Sequence, residues 1–391
     1  MDGPKPTRLP PASAAATFLF FVAIMGTRPI SALYTVELGM GPAEIGVLTA
    51  VFALLSLFGA STAGSWMDLR GARSVLKTGI ILVALGMACP WLLSGRAGIY
   101  LSQLVAGSGF TLYTIAAQRL AGHVGTTADE SQRSINAFSF MVSFGSFAGP
   151  TVLGALGQEI GLKEAMLTML MPLGLCFLLT LRQYDTPRDE RTTEDLKLWS
   201  NPVDSLSYHR FMLRAFMIST FVLLARDSFM AFFPLFARGH GISTTLIGVI
   251  VGLHNFGSLA ARAALMPCIR HFGRNRTVIG SILLAGTFCL LIPFAQTPPL
   301  MILAAIGIGV GLGTGQPLSI ALSTRLAPGN RVGEVLGARL TFNRLTQIVA
   351  PLTFGAGSAY IGLAGVFWLT GVIMILGAAR LHIPDTVTSD T

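Results

Sequence analysis

Apolar residues run along this chain in long blocks broken by short polar turns; they do not alternate as in strands. A helix that crosses a bilayer needs about 20 mostly apolar residues. Runs of that kind lie near 14–36, 44–66, 75–95, 98–121, 134–157 and 163–183. They resume near 211–236, 244–267, 277–296, 299–323, 333–357 and 361–381. The stretch between, from about Gln183 to His209, is crowded with charge: Asp185, Arg188, Asp189, Glu190, Arg191, Glu194, Asp195, Lys197 and Asp204. The pattern predicts an all-α membrane protein of twelve transmembrane helices. Six form a bundle over 1–183, a cytoplasmic linker covers 184–209, and six more form a second bundle over 210–391. The first run is too long for the core of a signal peptide and no small-residue cleavage site closes it, so it is read as a retained span.

Composition agrees. Hydrophobic residues make up 52% of the 391 and charged residues 12%, where soluble chains carry about 25% charged. The net charge of +9 would point to nucleic acid in a soluble protein, so its placement decides. With the N-terminus in the cytoplasm, 20 of the 27 basic residues fall on the cytoplasmic side, Arg339 among them. Only Arg96, Lys163 and Arg238 fall outside. Basic residues are retained on the cytoplasmic side, so both termini are placed there, in a multi-pass protein of the cell inner (plasma) membrane. Nucleic acid is excluded as a partner, because the charge is scattered over short loops.

Other chemistries find little support. Cys89, Cys176, Cys268 and Cys289 show no CxxC spacing and read as packing residues; neither a metal site nor a disulfide framework is expected. No GxxxxGK[ST], HExxH or GxSxG occurs, so neither ATP drive nor a hydrolytic enzyme is expected, and no cofactor.

The halves repeat at an offset of about 200. Gly39-Met-Gly41 with Ile45-Gly46-Val47 recurs as Gly239-His-Gly241 with Ile247-Gly248-Val249. Arg70-Gly71-Ala72-Arg73 recurs loosely as Phe272-Gly273-Arg274-Asn275, Gly107-Ser-Gly109 as Gly309-Val-Gly311, and Gly149-Pro150 as Ala350-Pro351. Repeated halves joined by a linker imply two pseudo-symmetric bundles around a central cavity, rocking to give alternating access.

The loop after the second span reads Gly64-Ser-Trp-Met-Asp68-Leu-Arg70-Gly71-Ala-Arg73. It resembles the Gly-xxx-Asp-x-Arg-Gly-x-Arg loop of the major facilitator superfamily, and with twelve spans the resemblance covers essentially the whole chain. It implies that Gly64, Asp68, Arg70, Gly71 and Arg73 form a cytoplasmic gate that locks the inward side shut, with Asp68 facing a helix N-terminus near Gly333 and Glu334. Gly145, Gly149, Pro150 and Gly154 in the fifth span are similar to the antiporter motif of efflux members, although Leu153 stands where that pattern has a second glycine. Gln103 takes the place where the family often carries an arginine, which speaks against a drug–proton antiporter.

An ionisable group at membrane depth is costly and therefore a functional candidate. Asp227 and Arg28 each lie about 21–22 Å into their spans, at 1.5 Å per residue. The repeat sets Asp227 opposite Thr27, beside Arg28, and the two are expected to face the cavity, with Asp227 leading any proton coupling. Arg226, Gln316, Asn343, Arg344 and Gln347 complete the candidate cavity set, and Arg262 lies nearer the cytoplasm. Four deep arginines against one aspartate leave +3, which favours an anionic or carboxylate-bearing solute. The small-xxx-small faces Gly307/Gly311/Gly315 and Gly309/Gly313 read as packing. The function expected is secondary active transport of a small organic solute, as proton-coupled efflux by a monomer; the alternative is proton-coupled import of a small organic anion.

Overall fold

The computed structural model describes residues 9–124, 127–181, 210–326 and 332–381. Some side chains in the second helix and at the start of the last one, Asp68, Arg70 and Glu334 among them, lie outside the described residues, as do Arg331 and the whole linker expected over 184–209.

Every regular element among the described residues is helical. In order they are α1 (Pro11–Glu37), α2 (Pro42–Arg70), α3 (Ala72–Leu92), α4 (Arg96–Gly122), α5 (Ala128–Ile160), α6 (Leu162–Thr168) and α7 (Leu170–Leu181). Then come α8 (Arg210–Gly239), α9 (Thr244–Ala263), α10 (Leu265–Phe272), α11 (Arg274–Leu291), α12 (Pro298–Gly313), α13 (Gly315–Leu326) and α14 (Val332–Ala379). The twelve expected runs are recovered, with α6–α7, α9–α10 and α12–α13 each forming one broken span. α14 is two spans joined at Gly362, whose backbone is non-helical at φ 67° and ψ 177°. Nine helical stretches among the described residues are long and apolar enough to cross a membrane, the last being the 42 residues Ala338–Ala379.

The chain divides into two compact units. The first takes the described parts of Met1–Met40, Val51–Leu198 and Ser243–Gly252; the second takes Gly41–Ala50, Trp199–Ile242 and Leu253–Thr391. Each has one helix far more enclosed than the rest: 83% of the apolar window is buried in α1, and 83% in α8. α1 packs against α5 and α7, and α8 against α13 and α14.

The repeat is visible in backbone geometry, at an offset of 202 rather than 200. Gly71 leads into α3 with φ 80° and ψ 156°, and Gly273 leads into α11 with φ 79° and ψ 158°. This left-handed region is strained for any residue with a Cβ. The turn after α1 closes with Met40 N–H donating to Thr35 O, and the turn after α8 with Ile242 N–H donating to Ala237 O. Gly39 at φ 68° therefore corresponds to Gly241 at φ 75°, and Gly239 is not its counterpart. The same register sets Asp227 opposite Met25 and Arg28 opposite Met230, correcting the expected pairing with Thr27.

Glycines carry the close packing that replaces a hydrophobic driving force between helices in lipid. On α12 the two expected faces separate cleanly. Gly307 and Gly311 lie against Phe288 and Ala285 of α11, and Gly309 and Gly313 against the carbonyls of His254 and Ser258 in α9. Gly315, across the break, lies against Val222 of α8.

Candidate functional site

The polar residues expected in the cavity divide between the units. In the second unit, α12 ends at Gly313 because Pro317 has no N–H for the Gly313 carbonyl and its ring crowds that carbonyl. The helix restarts at Gly315 and presents Gln316 in its first turn. There Gln316 meets α8 and α14. Its Nε2 donates to Ser219 O at 3.4 Å, and the Ser219 hydroxyl donates to Asn343 Oδ1 at 2.7 Å.

The centre of this cluster is Arg339. It was expected at the cytoplasmic surface as one of the orientation-setting charges, yet it is only 4% exposed. Its Nε donates to Ser319 Oγ at 2.9 Å, and its Nη2 donates to Ser219 Oγ at 3.0 Å and also to Gln316 Oε1. Ser319 in turn donates to Ala215 O at 2.6 Å. Every one of these acceptors is neutral. An arginine near the end of a span usually snorkels to water, which is why position alone misplaced it; a polar stripe at Gln316, Ser319, Arg339 and Asn343 was the available signal.

Asp227 is buried in α8 at 2% exposure and is the one buried acid among the described residues. Arg226, next to it, is half-buried. Arg344 donates from Nη1 to Gln347 Oε1 at 2.8 Å, the i, i+3 polar stripe expected on α14. His254 is buried in α9, stacked on Phe229 with centroids 4.4 Å apart, and its Nδ1 lies 3.2 Å from Ala305 O. Arg262 is on an exposed face of α9.

In the first unit the Arg28 guanidinium stands 4.9 Å over the Phe52 ring, a cation–π contact. Gln103 is buried and donates from Nε2 to Ser31 Oγ at 3.1 Å. The antiporter-like residues pack helices. A Cβ on Gly145 would lie 2.7 Å from Phe18 O, and Gly149 abuts Val22 and Gly26 of α1. Gly154 and the Pro150 carbonyl abut Gly248 at the start of α9. Gln158, one turn on, accepts from Thr244 N–H at 2.9 Å and so satisfies an N–H that the start of α9 leaves open. That cap was missed in the sequence, because nothing local links positions 86 residues apart. Of the cytoplasmic gate set, Gly71 makes the turn into α3 and Arg73 is half-buried on it. The side chains of Asp68 and Arg70, and the Gly64 surroundings, lie outside the described residues. The cysteines are all free, with Cys89, Cys176 and Cys289 buried. No group of three metal-binding side chains occurs among the described residues.

Buried polar groups at span depth, on helices that repeat between the two halves of the chain, are the substance of a carrier. The family model for the Major Facilitator Superfamily matches residues 13–235 and 215–390. The chain belongs to the Major Facilitator Superfamily. It is thus a multi-pass inner-membrane transporter and not an enzyme. It is 27% identical over 352 residues to the tetracycline resistance protein, class C, of Escherichia coli, covering 85% of this chain and 84% of that one. It is 24% identical over 377 residues to the multidrug resistance protein MdtG of Enterobacter lignolyticus, covering 92% and 88%. A crystal structure of a POT family transporter in complex with 5-aminolevulinic acid shares the fold, with a TM-score of 0.79, 13% identity and 94% coverage of both chains.

Proposed function

We propose that this transporter exports a small organic solute in exchange for protons, as a monomer working by alternating access. The observation that carries the reading is Asp227, the one buried acid among the described residues, on the most enclosed helix of its unit. A buried carboxyl at span depth is costly to ionise and suited to binding and releasing a proton. Arg28, at similar depth in the first unit and over the Phe52 ring, is the proposed basic group of the set. Arg226, Gln316, Asn343, Arg344 and Gln347 are the proposed solute-facing groups. Export is supported by the resistance proteins matched along most of the chain. Both termini are placed in the cytoplasm by the distribution of basic residues, and residues 64–73 form the proposed inward gate.

A second reading, import of an organic anion with protons, is favoured by one observation: Arg339 is buried among neutral groups. Both readings meet one experiment. The purified protein is placed in vesicles with an imposed pH gradient of either sign, and uptake is measured for tetracycline, cationic dyes and aromatic carboxylates. Exchange predicts solute movement against the proton flow, and symport predicts movement with it. Asp227→Asn is expected to abolish the response to the gradient; an unchanged response rejects Asp227 as the coupling group.

A further inference from the structure

The repeat supplies a control for the Arg339 cluster. Phe20 and Tyr113 stack in the first unit with centroids 3.6 Å apart, and at the 202 offset Val222 and Gly315 abut in the second. That register sets Thr17 opposite Ser219, and Thr114 opposite Gln316. Pro150 and Gly154 correspond to Pro351 and Gly355 at an offset of 201, which sets Phe138 opposite Arg339 and Val142 opposite Asn343. The first unit thus closes this position with a buried phenylalanine, and its Thr17 hydroxyl turns back to Ser13 O of its own helix at 2.9 Å. The fold does not need a cation there. The second unit has one, bonded among the described residues to neutral groups only, and a buried cation held that way carries a desolvation cost that an anionic ligand would offset.

The hydrogen-bond inventory indicates the use. The cluster's acceptors are turned inward: Ser319 Oγ and Ser219 Oγ hold the guanidinium, Gln316 Oε1 does the same, and Asn343 Oδ1 holds Ser219. What is left over is donors. The Nη1 edge of Arg339 makes no hydrogen bond to a described residue, and neither does the Asn343 amide nitrogen. The Nη1 group is a charged donor held in place by the bonds on Nε and Nη2, and Asn343, which shares Ser219 with Arg339, is a neighbouring amide donor; a carboxylate oxygen is the acceptor that matches them.

We infer that Arg339, held by Ser219, Gln316 and Ser319 and assisted by Asn343, binds the carboxylate of the transported solute. This rests on the transport reading and specifies the charged group of the solute. The test uses the purified full chain with radiolabelled salicylate as probe, and its neutral amide and chloride as competitors. Salicylate is expected to bind, with neither competitor displacing it at equal concentration. Arg339→Gln is expected to weaken binding about tenfold or more, the loss of a charge-assisted hydrogen bond. The triple exchange Ser219→Thr, Gln316→Thr and Arg339→Phe writes in the first unit's residues at three of the cluster's positions. It is expected to keep the wild-type melting temperature and lose salicylate binding. Absence of binding to the wild type, displacement by chloride, or unchanged binding in both variants overturns the inference. Vesicles scored in parallel separate the two ideas: failure of every solute to move strikes the transport reading, while binding to the purified protein scores the site by itself.

Discussion

Gly154 and Gly248 touch backbone to backbone: a Cβ on Gly154 would stand 2.9 Å from Gly248 Cα. Gly355 and Gly46 stand in the same relation inside the other unit, at 3.0 Å. The Pro150 carbonyl abuts Gly248, and the Pro351 carbonyl abuts Gly46. The repeat has thus kept both members of each contact, a glycine at the start of one helix and a proline-glycine pair on another.

Neither contact has room for a side chain. Gly248→Val and Gly46→Val are each expected to lower stability by about 1–3 kcal/mol, the range for overpacking. Melting of the purified protein in detergent checks this. The sites lie in separate units, so the double variant is expected to lose the sum of the single losses. A double variant no worse than either single one rejects two independent contacts.

Gln158 caps α9 from α5 through its side-chain oxygen. Gln158→Ala opens the Thr244 N–H and is expected to destabilise by about 1 kcal/mol. Gln158→Glu keeps the acceptor and adds a negative charge at a helix N-terminus, which the helix dipole favours. The glutamate variant is therefore expected to melt at or above the wild type and the alanine variant below it. The reverse order rejects the cap.

Much of this architecture was legible in the sequence, for a physical reason. A bilayer dictates span length, and small residues dictate where helices meet, so the twelve runs and both faces of α12 could be read from spacing. What escaped depends on tertiary placement. Arg339 sits near the end of its apolar run, where a long cationic side chain ordinarily reaches water, and only the fold turns it inward toward Ser219 and Gln316. The register slipped by two residues because Gly239 and Gly241 look alike in sequence; only Gly241 takes the left-handed backbone of Gly39. Gln316 and Asn343 were legible as polar residues in apolar runs, but their shared partner, Ser219, carries no signal of its own.

The cysteines provide a probe of burial. Cys89, Cys176 and Cys289 are buried, whereas Cys268 on α10 is half-buried. A hydrophilic maleimide added to the purified protein is expected to modify Cys268 first and the others only on unfolding, because reaction needs an accessible thiolate. Mass spectrometry of digested protein reads the order. Early modification of Cys176, which donates to Ala16 O at 3.2 Å, contradicts the packing of α7 on α1.

Gln103 tests whether the departure from the family pattern is built into the packing. It is 7% exposed and donates to Ser31 Oγ, which donates in turn to Met166 Sδ at 3.7 Å. Neither neighbour carries charge. Gln103→Leu keeps most of the volume and removes one buried hydrogen bond, so it is expected to cost about 0.5–1.5 kcal/mol. Gln103→Ala loses packing as well and is expected to cost more. Gln103→Arg restores the residue that the family resemblance places here, yet it buries a cation beside a serine and a thioether. It is expected to be the least stable of the three, because a buried charge without a counter-charge costs several kcal/mol. Detergent melting ranks them. An arginine variant as stable as wild type means that an acidic group reaches Gln103 and that the hydrogen bond to Ser31 is incidental.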